Sequence, residues 1–378
     1  MSSPGCELPA VLSKTRTRVV FGAGTLAELG AMTKREGGGH SLLVTDPGIV
    51  AAGYVDRAVQ SLRNAGLDVT VFDGVEENPT THHVDAGVKV ARNHSIDFLV
   101  GLGGGSAMDC AKGINFILTN GGRMQAYWGI NKATKPMLPM IAVPTTAGTG
   151  SEAQSFALIC DPSTHQKMAC GDIKAACRWA ILDPDLTLTQ PPAVAAASGI
   201  DAVAHAVETA GTTKRNDVSL EMSRQAWLRL DTAFEKAMRD PRDDEARAGM
   251  LLGAHLAGAA IEQSMLGAAH SCANPLTARL GITHGIAVGV MLPHVVRFNC
   301  AKGDNPYLAL SYDPESLAQR IEFMLKAGKL PQRLADCGVP EGILPELAIE
   351  AAKQWTAAFN PRSVGSGELL EIYRMAYR

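Results

Sequence analysis

Asp201 and His205 stand at i and i+4 in the run GIDAVAHAVE. A helix there sets a carboxylate and an imidazole one turn apart on one face, where both can hold a single ion. His270 and His284 fall later, in AAHSCANPLTARLGITHGIAVG, flanked by small residues and glycines. Each can bring a further imidazole to the same ion. One carboxylate and three imidazoles suit Fe(II) or Zn(II) better than Mg or Ca, which prefer oxygen donors. Spacing alone also fits histidines of a core or a surface, and the first half of the chain must decide between the two.

That first half carries nucleotide signals. In RVVFGAGTLAELG an apolar run leads into Gly22, Gly24 and Ala27, with Asp46 after the next apolar run. This imitates a dinucleotide fingerprint, although GxGxxA alone is weak. In VGLGGGSAMDCAK, Gly103, Gly104, Gly105 and Ser106 lie between an apolar run and a helical period through Ala111 and Lys112. Bare glycines let the backbone approach a pyrophosphate, and a helix amino terminus offers it free N–H groups. A third segment, AVPTTAGTGSE, places Thr145, Thr146 and Thr149 where hydroxyls can meet phosphate, adenine or ribose. Each loop alone reads equally as a tight strand-to-helix turn. The three together favour a nucleotide.

The elements that must position these residues alternate in the first half. Ser41 to Thr45, Val69 to Phe72, Phe98 to Leu102 and Met140 to Val143 read as buried strands, with helical periods over Val55 to Asn64 and Val84 to Asn93. Alternation of this kind predicts a mostly parallel, Rossmann-like sheet covered on both faces. Prolines punctuate DPDLTLTQPP, and beyond it strand patterning nearly vanishes in favour of helical periods such as Leu220 to Met238 and Glu245 to Met265. The expected organisation is an α/β domain over 1–188 followed by an all-helical domain over 189–378.

The chain has 378 residues, 46% hydrophobic and 19% charged, with a formal net charge of −3. Length allows about two domains with full cores. Lys and Arg are scattered, so no electrostatic footprint for nucleic acid is present. The first residues, MSSPGCELPAVLSKTR, have no apolar core of signal-peptide length, and no apolar stretch reaches membrane-spanning length, so a cytoplasmic protein is expected. Eight cysteines without a CxxC pair fit reduced thiols.

GGGSAMDCAK, PTTAGTGSE, DAVAHAVE and the widely spaced His270 and His284 together resemble the iron-dependent (group III) alcohol dehydrogenase family. The resemblance runs from RVVFGAGTLAELG to the NPR at Asn360 to Arg362. It implies the dehydroquinate synthase-like architecture and a pyrophosphate on Gly103, Gly104, Gly105 and Ser106, which makes GAGTLA a decoy. It places Asp109 close to the cofactor and Thr145, Thr146 and Thr149 along its groove. Asp201, His205, His270 and His284 match the family's metal ligands, with Fe(II) expected and Zn(II) the alternative. Glu208 is either a partner that orients an imidazole or a solvated helix position. Assembly as a homodimer or larger homo-oligomer is also implied.

Asp46 falls where the family meets the adenosine ribose. A carboxylate there accepts from both ribose hydroxyls and repels a 2′-phosphate, which favours NAD over NADP. The expected activity is hydride transfer between a small alcohol, or its aldehyde or ketone, and NAD, with the metal polarising the substrate oxygen. One departure stands out. Many members carry a further histidine four residues after the third ligand, where this chain has Asn274. An amide cannot relay a proton near neutral pH, so either water and ribose hydroxyls take over or the substrate differs. Arg279 is the only cation between His255 and His284, which favours a neutral substrate. Related glycerol dehydrogenase or dehydroquinate synthase-like enzymes, and a catalytically silent cofactor-binding relative, are the alternatives.

Overall fold

In a computed structural model that describes residues 7–164 and 166–378, the first elements alternate as the sequence implies. The strands are β1 (Arg18–Phe21), β2 (His40–Val44), β3 (Asp68–Phe72), β4 (Phe98–Gly103), β5 (Gly129–Ile130), β6 (Met140–Pro144), β7 (Phe156–Asp161), β8 (Gln166–Gly171) and β9 (Trp179–Leu182). Between them lie α1 (Leu29–Arg35), α2 (Pro47–Ala51), α3 (Tyr54–Asn64), α4 (Thr81–Arg92) and α5 (Gly105–Asn120). Six strands form one all-parallel sheet in the order β1-β9-β6-β4-β2-β3. Leu43, Phe98, Val100, Leu102, Ile141 and Val143 pack on one face with residues of α1 and α3. Leu42, Leu99, Met140 and Ala142 pack on the other with α4 and α5. Burial on both faces explains why these strands read as continuous apolar runs without alternation.

Strand order reverses between β2 and β4: β3 lies to one side of β2, and the chain then returns to β4 on its other side. Such a switch point opens a crevice at the carboxyl ends of the strands, the usual ligand position in an open α/β sheet. A second sheet, β5-β8-β7, contains the antiparallel pair β7 and β8, which the apolar patterning does not reveal.

From residue 190 onward the described residues form no strand. They build α6 (Pro192–Gly211), α7 (Asp217–Arg239), α8 (Asp244–Gln263), α9 (Ala268–Leu280), α10 (His284–Cys300), α11 (Pro314–Ala327), α12 (Leu344–Ala351) and α13 (Ser366–Tyr377). Two compact units result: residues 12–146 with 151–189, and residues 190–378 with 147–150 and the described amino-terminal residues up to 11. Within the helical unit, α6 is buried nearly all round. Glycines let its neighbours approach: a Cβ on Gly285 would fall 1.9 Å from the Ala197 carbonyl oxygen. No helix is long and apolar enough to cross a membrane among the described residues.

Candidate metal centre and cofactor loops

The helical unit brings all four expected ligands around one carboxylate oxygen. Asp201 and His205 project from α6, one turn apart. His270 is the third residue of α9, and His284 the first of α10. Gly285 makes this approach feasible, since any side chain there would strike α6 beside Asp201. The Nε2 atoms of His205 and His270 each lie 3.5 Å from Asp201 Oδ1, and that of His284 lies at 4.0 Å. Those separations are too long for hydrogen bonds. They suit donors sharing an ion, because two atoms each about 2.1 Å from a tetrahedral centre stand about 3.4 Å apart. Donor atoms of Asp201, His270 and His284 all lie within 4.8 Å of one another. His205 stacks on His270 with ring centroids 4.9 Å apart.

Two buried atoms carry the test of fit. Asp201 Oδ1 and His270 Nε2 are shielded from solvent and have no hydrogen-bond partner. Leaving a buried polar atom unmet costs about 1–3 kcal/mol, so two such atoms 3.5 Å apart favour a shared occupant. A divalent cation satisfies both. Burial opposes ionisation of Asp201, but His205, His270 and His284 outweigh it and hold the carboxyl well below its usual range. Burial likewise opposes charging of His270, but the Glu208 and Asp201 carboxylates prevail and push it up to about 9. For His205 burial wins over Asp201 and lowers the value.

Glu208 is a buried partner and not a solvated helix position: it accepts a hydrogen bond from His270 Nδ1 at 2.5 Å and one from the Ala269 N–H at 2.7 Å. With Nδ1 donating, His270 presents Nε2 as the ligand atom, the arrangement by which a carboxylate orients a metal-binding histidine. Asn274, one turn along α9, donates through Nδ2 to Gln354 Oε1 at 3.0 Å.

In the sheet unit, Asp46, Gly103 and Thr145 fall at the carboxyl ends of β2, β4 and β6, three adjacent strands at the switch point. Asp46 caps α2, its Oδ1 accepting from the Ile49 N–H at 3.1 Å. Its Oδ2 lies beside the glycine loop, 3.2 Å from where a Gly103 Cβ would stand. Gly103 needs to be glycine, with φ +150° and that added carbon also only 2.8 Å from Ala107 Cβ. Gly104 is the N-cap of α5, and no side chain caps the helix, so its first amides face outward from Gly105 and Ser106. Thr145 continues the strand ladder through its N–H to the Gly103 carbonyl, and Thr146 flanks Gly104. Thr149 belongs to the other compact unit, where neighbouring Gly150 packs against Gly258 of α8.

Asp109 is turned inward. It accepts from Ser151 Oγ at 2.6 Å and lies 3.9 Å from Lys112 Nζ. Burial pushes its carboxyl up against the pull of Lys112. Lys112 is fully buried and donates to the Ser151 carbonyl, Ser151 Oγ and the Phe156 carbonyl, so the pair anchors α5 to the turn after β6.

The first glycine loop is filled by its own chain. The Gly24 and Leu26 N–H groups donate to the two carboxylate oxygens of fully buried Asp183, at 3.0 and 3.1 Å. Sequence reading missed this plug, and also missed Lys112 and Asn360. No local pattern marks contacts between residues so far apart in the chain.

Comparison with known proteins agrees with this geometry. Residues 16–184 match the model of the iron-containing alcohol dehydrogenases, and residues 195–377 match the family's C-terminal model. Alcohol dehydrogenase 4 of Schizosaccharomyces pombe is 35% identical over 94% of this chain and 87% of that protein. The NAD-dependent methanol dehydrogenase of Bacillus methanolicus is 33% identical over 94% of this chain and 97% of that protein. A crystal structure of a 1,3-propanediol oxidoreductase superposes with a TM-score of 0.90 at 33% identity, covering 95% of this chain and 98% of that one. The chain belongs to the iron-containing alcohol dehydrogenase family.

Proposed function

We propose that the protein interconverts a small neutral alcohol and its aldehyde or ketone, using NAD and a divalent metal, Fe(II) first and Zn(II) as the alternative. The observation that carries this is the pair of orphaned donors, Asp201 Oδ1 and His270 Nε2, at the centre of a carboxylate–imidazole cluster. Relatives that include an NAD-dependent methanol dehydrogenase support the cofactor.

When bound, a divalent cation supplies Lewis acidity that eases loss of the alcohol proton, and NAD supplies the hydride acceptor. The chain's own residues do the positioning. Asp201, His205, His270 and His284 hold the ion, and Glu208 fixes the tautomer of His270. Gly103, Gly104, Gly105 and Ser106 admit the pyrophosphate to the uncapped start of α5. Asp46 accepts from ribose hydroxyls and repels a 2′-phosphate, and the hydroxyls of Thr145, Thr146 and Thr149 are assigned to the cofactor. Asp109 supports α5 through Ser151. Asn274, oriented by Gln354, accepts a hydrogen bond from a substrate hydroxyl and leaves proton relay to water and the ribose. The reading assigns NAD to residues 1–188 and the metal to 189–378. It also includes a homodimer or larger assembly and a cytoplasmic setting, the latter in keeping with the free thiols of the described cysteines; Cys6 lies outside the described residues.

NADH formation by anaerobically prepared, Fe(II)-loaded protein over short alcohols, diols and hydroxy acids is the direct test, with a chelated control. Chelator-sensitive activity is the expected result, with His270→Ala lowering turnover roughly 10³-fold, the several kcal/mol a Lewis acid provides. Silence across the panel, with metal and NAD both bound, would replace this reading with a lyase or a binding protein.

A further inference from the structure

The first turn of α9 is held by residues that are remote in sequence. Its N-cap, Gly267, has no side chain to offer the orphan amides of the turn. The Ala268 N–H instead donates to Asn360 Oδ1 at 3.2 Å, from 92 residues away. The next amide, Ala269 N–H, donates to Glu208 Oε1 at 2.7 Å, and the residue after that is His270, whose Nδ1 donates to Glu208 Oε2. Each of the first three residues of α9 is thus gripped once from outside the helix.

Asn360 is itself locked. Its Nδ2 donates to Asn299 Oδ1 at 2.7 Å and to the Arg362 carbonyl at 2.6 Å, and its Oδ1 also accepts from Asn299 Nδ2 at 3.2 Å. Asn299 Nδ2 in turn donates to Tyr307 Oη at 2.6 Å. A buried amide with both its groups satisfied is stiff, and a stiff acceptor fixes what donates to it. Space confirms how closely the two caps converge: a Cβ on Gly267 would stand 3.0 Å from Asn360 Oδ1 and 3.1 Å from Glu208 Oε1.

We infer that Asn360 is a positioning residue for the metal centre, capping α9 jointly with Glu208 and so setting the place from which His270 Nε2 reaches the ion. Glu208 fixes how the imidazole is turned; Asn360 fixes where the helix carrying it begins. This inference rests on the reading of Asp201, His205, His270 and His284 as ligands.

The test uses Co(II) alone as the probe, titrated into the metal-free full-length protein against a competing chelator and followed by visible absorption. Asn360→Ala and Glu208→Gln are expected to weaken Co(II) binding about 10- to 100-fold, the range seen when partners of a metal-binding histidine are lost, and to alter the Co(II) spectrum. Asn299→Ser, which keeps the bond to Ala268 but removes two of the bonds that lock Asn360, should fall between wild type and Asn360→Ala in Co(II) affinity. Should Asn360→Ala fail to fold, Gly267→Ala gives the second route, since its methyl must displace both caps by a few tenths of an ångström. Wild-type affinity and spectrum in Asn360→Ala, or in Gly267→Ala where that stands in, overturn the positioning role. Wild-type protein that takes up no Co(II) overturns the reading of the centre itself.

Discussion

Two glycine loops in the sheet unit look alike in sequence and differ in what meets their amides. Gly22 to Ala27 follows β1, at the edge of the sheet, and its Gly24 and Leu26 N–H groups are already taken by the buried Asp183 carboxylate. Gly103 to Ser106 follows β4, beside the point where strand order reverses, and no side chain caps the helix it opens. Both loops supply glycine for positive φ, and both aim N–H groups from a helix start. Only the second leaves them without a side-chain acceptor. A carboxylate from the chain's own β9 end plays, in the first loop, the part that a phosphate would play. A glycine motif therefore reports a turn geometry, and the neighbouring strand decides whether that turn is a ligand site.

Removing the plug tests the contrast most severely. Asp183→Ala leaves the Gly24, Leu26 and Asp185 N–H groups without their acceptor. With the Leu26 N–H buried, that of Asp185 half-buried and that of Gly24 exposed, a loss of about 2 to 3 kcal/mol is expected, read by denaturant unfolding. Stability within about 0.5 kcal/mol of wild type would mean that Asp183 does not satisfy the first loop.

Substituting matched glycines comes next. Gly103→Ala forces a side chain into φ +150° and against Ala107, and strain of about 2 kcal/mol should cut NAD affinity roughly 30-fold by calorimetry. Gly24→Ala, at φ +75° with open space around the added carbon, should cost about 1 kcal/mol of stability and leave NAD affinity alone. The contrast between the loops breaks if the two variants lose NAD equally.

Asp46 sharpens the assignment of the second loop with a smaller effect. Its Oδ2 stands beside Gly103, so Asp46→Ser should shift the NADP-to-NAD ratio of kcat/KM toward NADP by roughly tenfold, about 1.4 kcal/mol. An unchanged ratio would remove Asp46 from the ribose contact.

Much of this was legible in the chain. Buried parallel strands read as apolar runs because both faces of β2, β4 and β6 are covered, and α3, α4, α7 and α8 showed their periods within a few residues of their ends. The β7–β8 pair was not. Phe156 to Asp161 alternates half-buried and buried, yet Phe, Leu and Cys occupy the half-buried places beside Ala and Ile in the buried ones, so composition hides the period. At the metal centre the four donor types and the i, i+4 pair were visible. Glu208 was visible only as a choice between two roles, because nothing local says that α9 starts against it.

Sequence by itself determined the inventory: a carboxylate and three imidazoles, glycines where side chains cannot go, and strand-to-helix turns with free amides. These are local matters of residue chemistry and φ, ψ preference. Tertiary structure alone decided which glycine turn stays open, that Asn360 and Glu208 complete the cap of α9, and that three imidazoles converge on one oxygen of Asp201. Each of those depends on partners tens to more than a hundred residues apart. Their meeting is set by how helices and strands pack, which no short stretch of chain encodes.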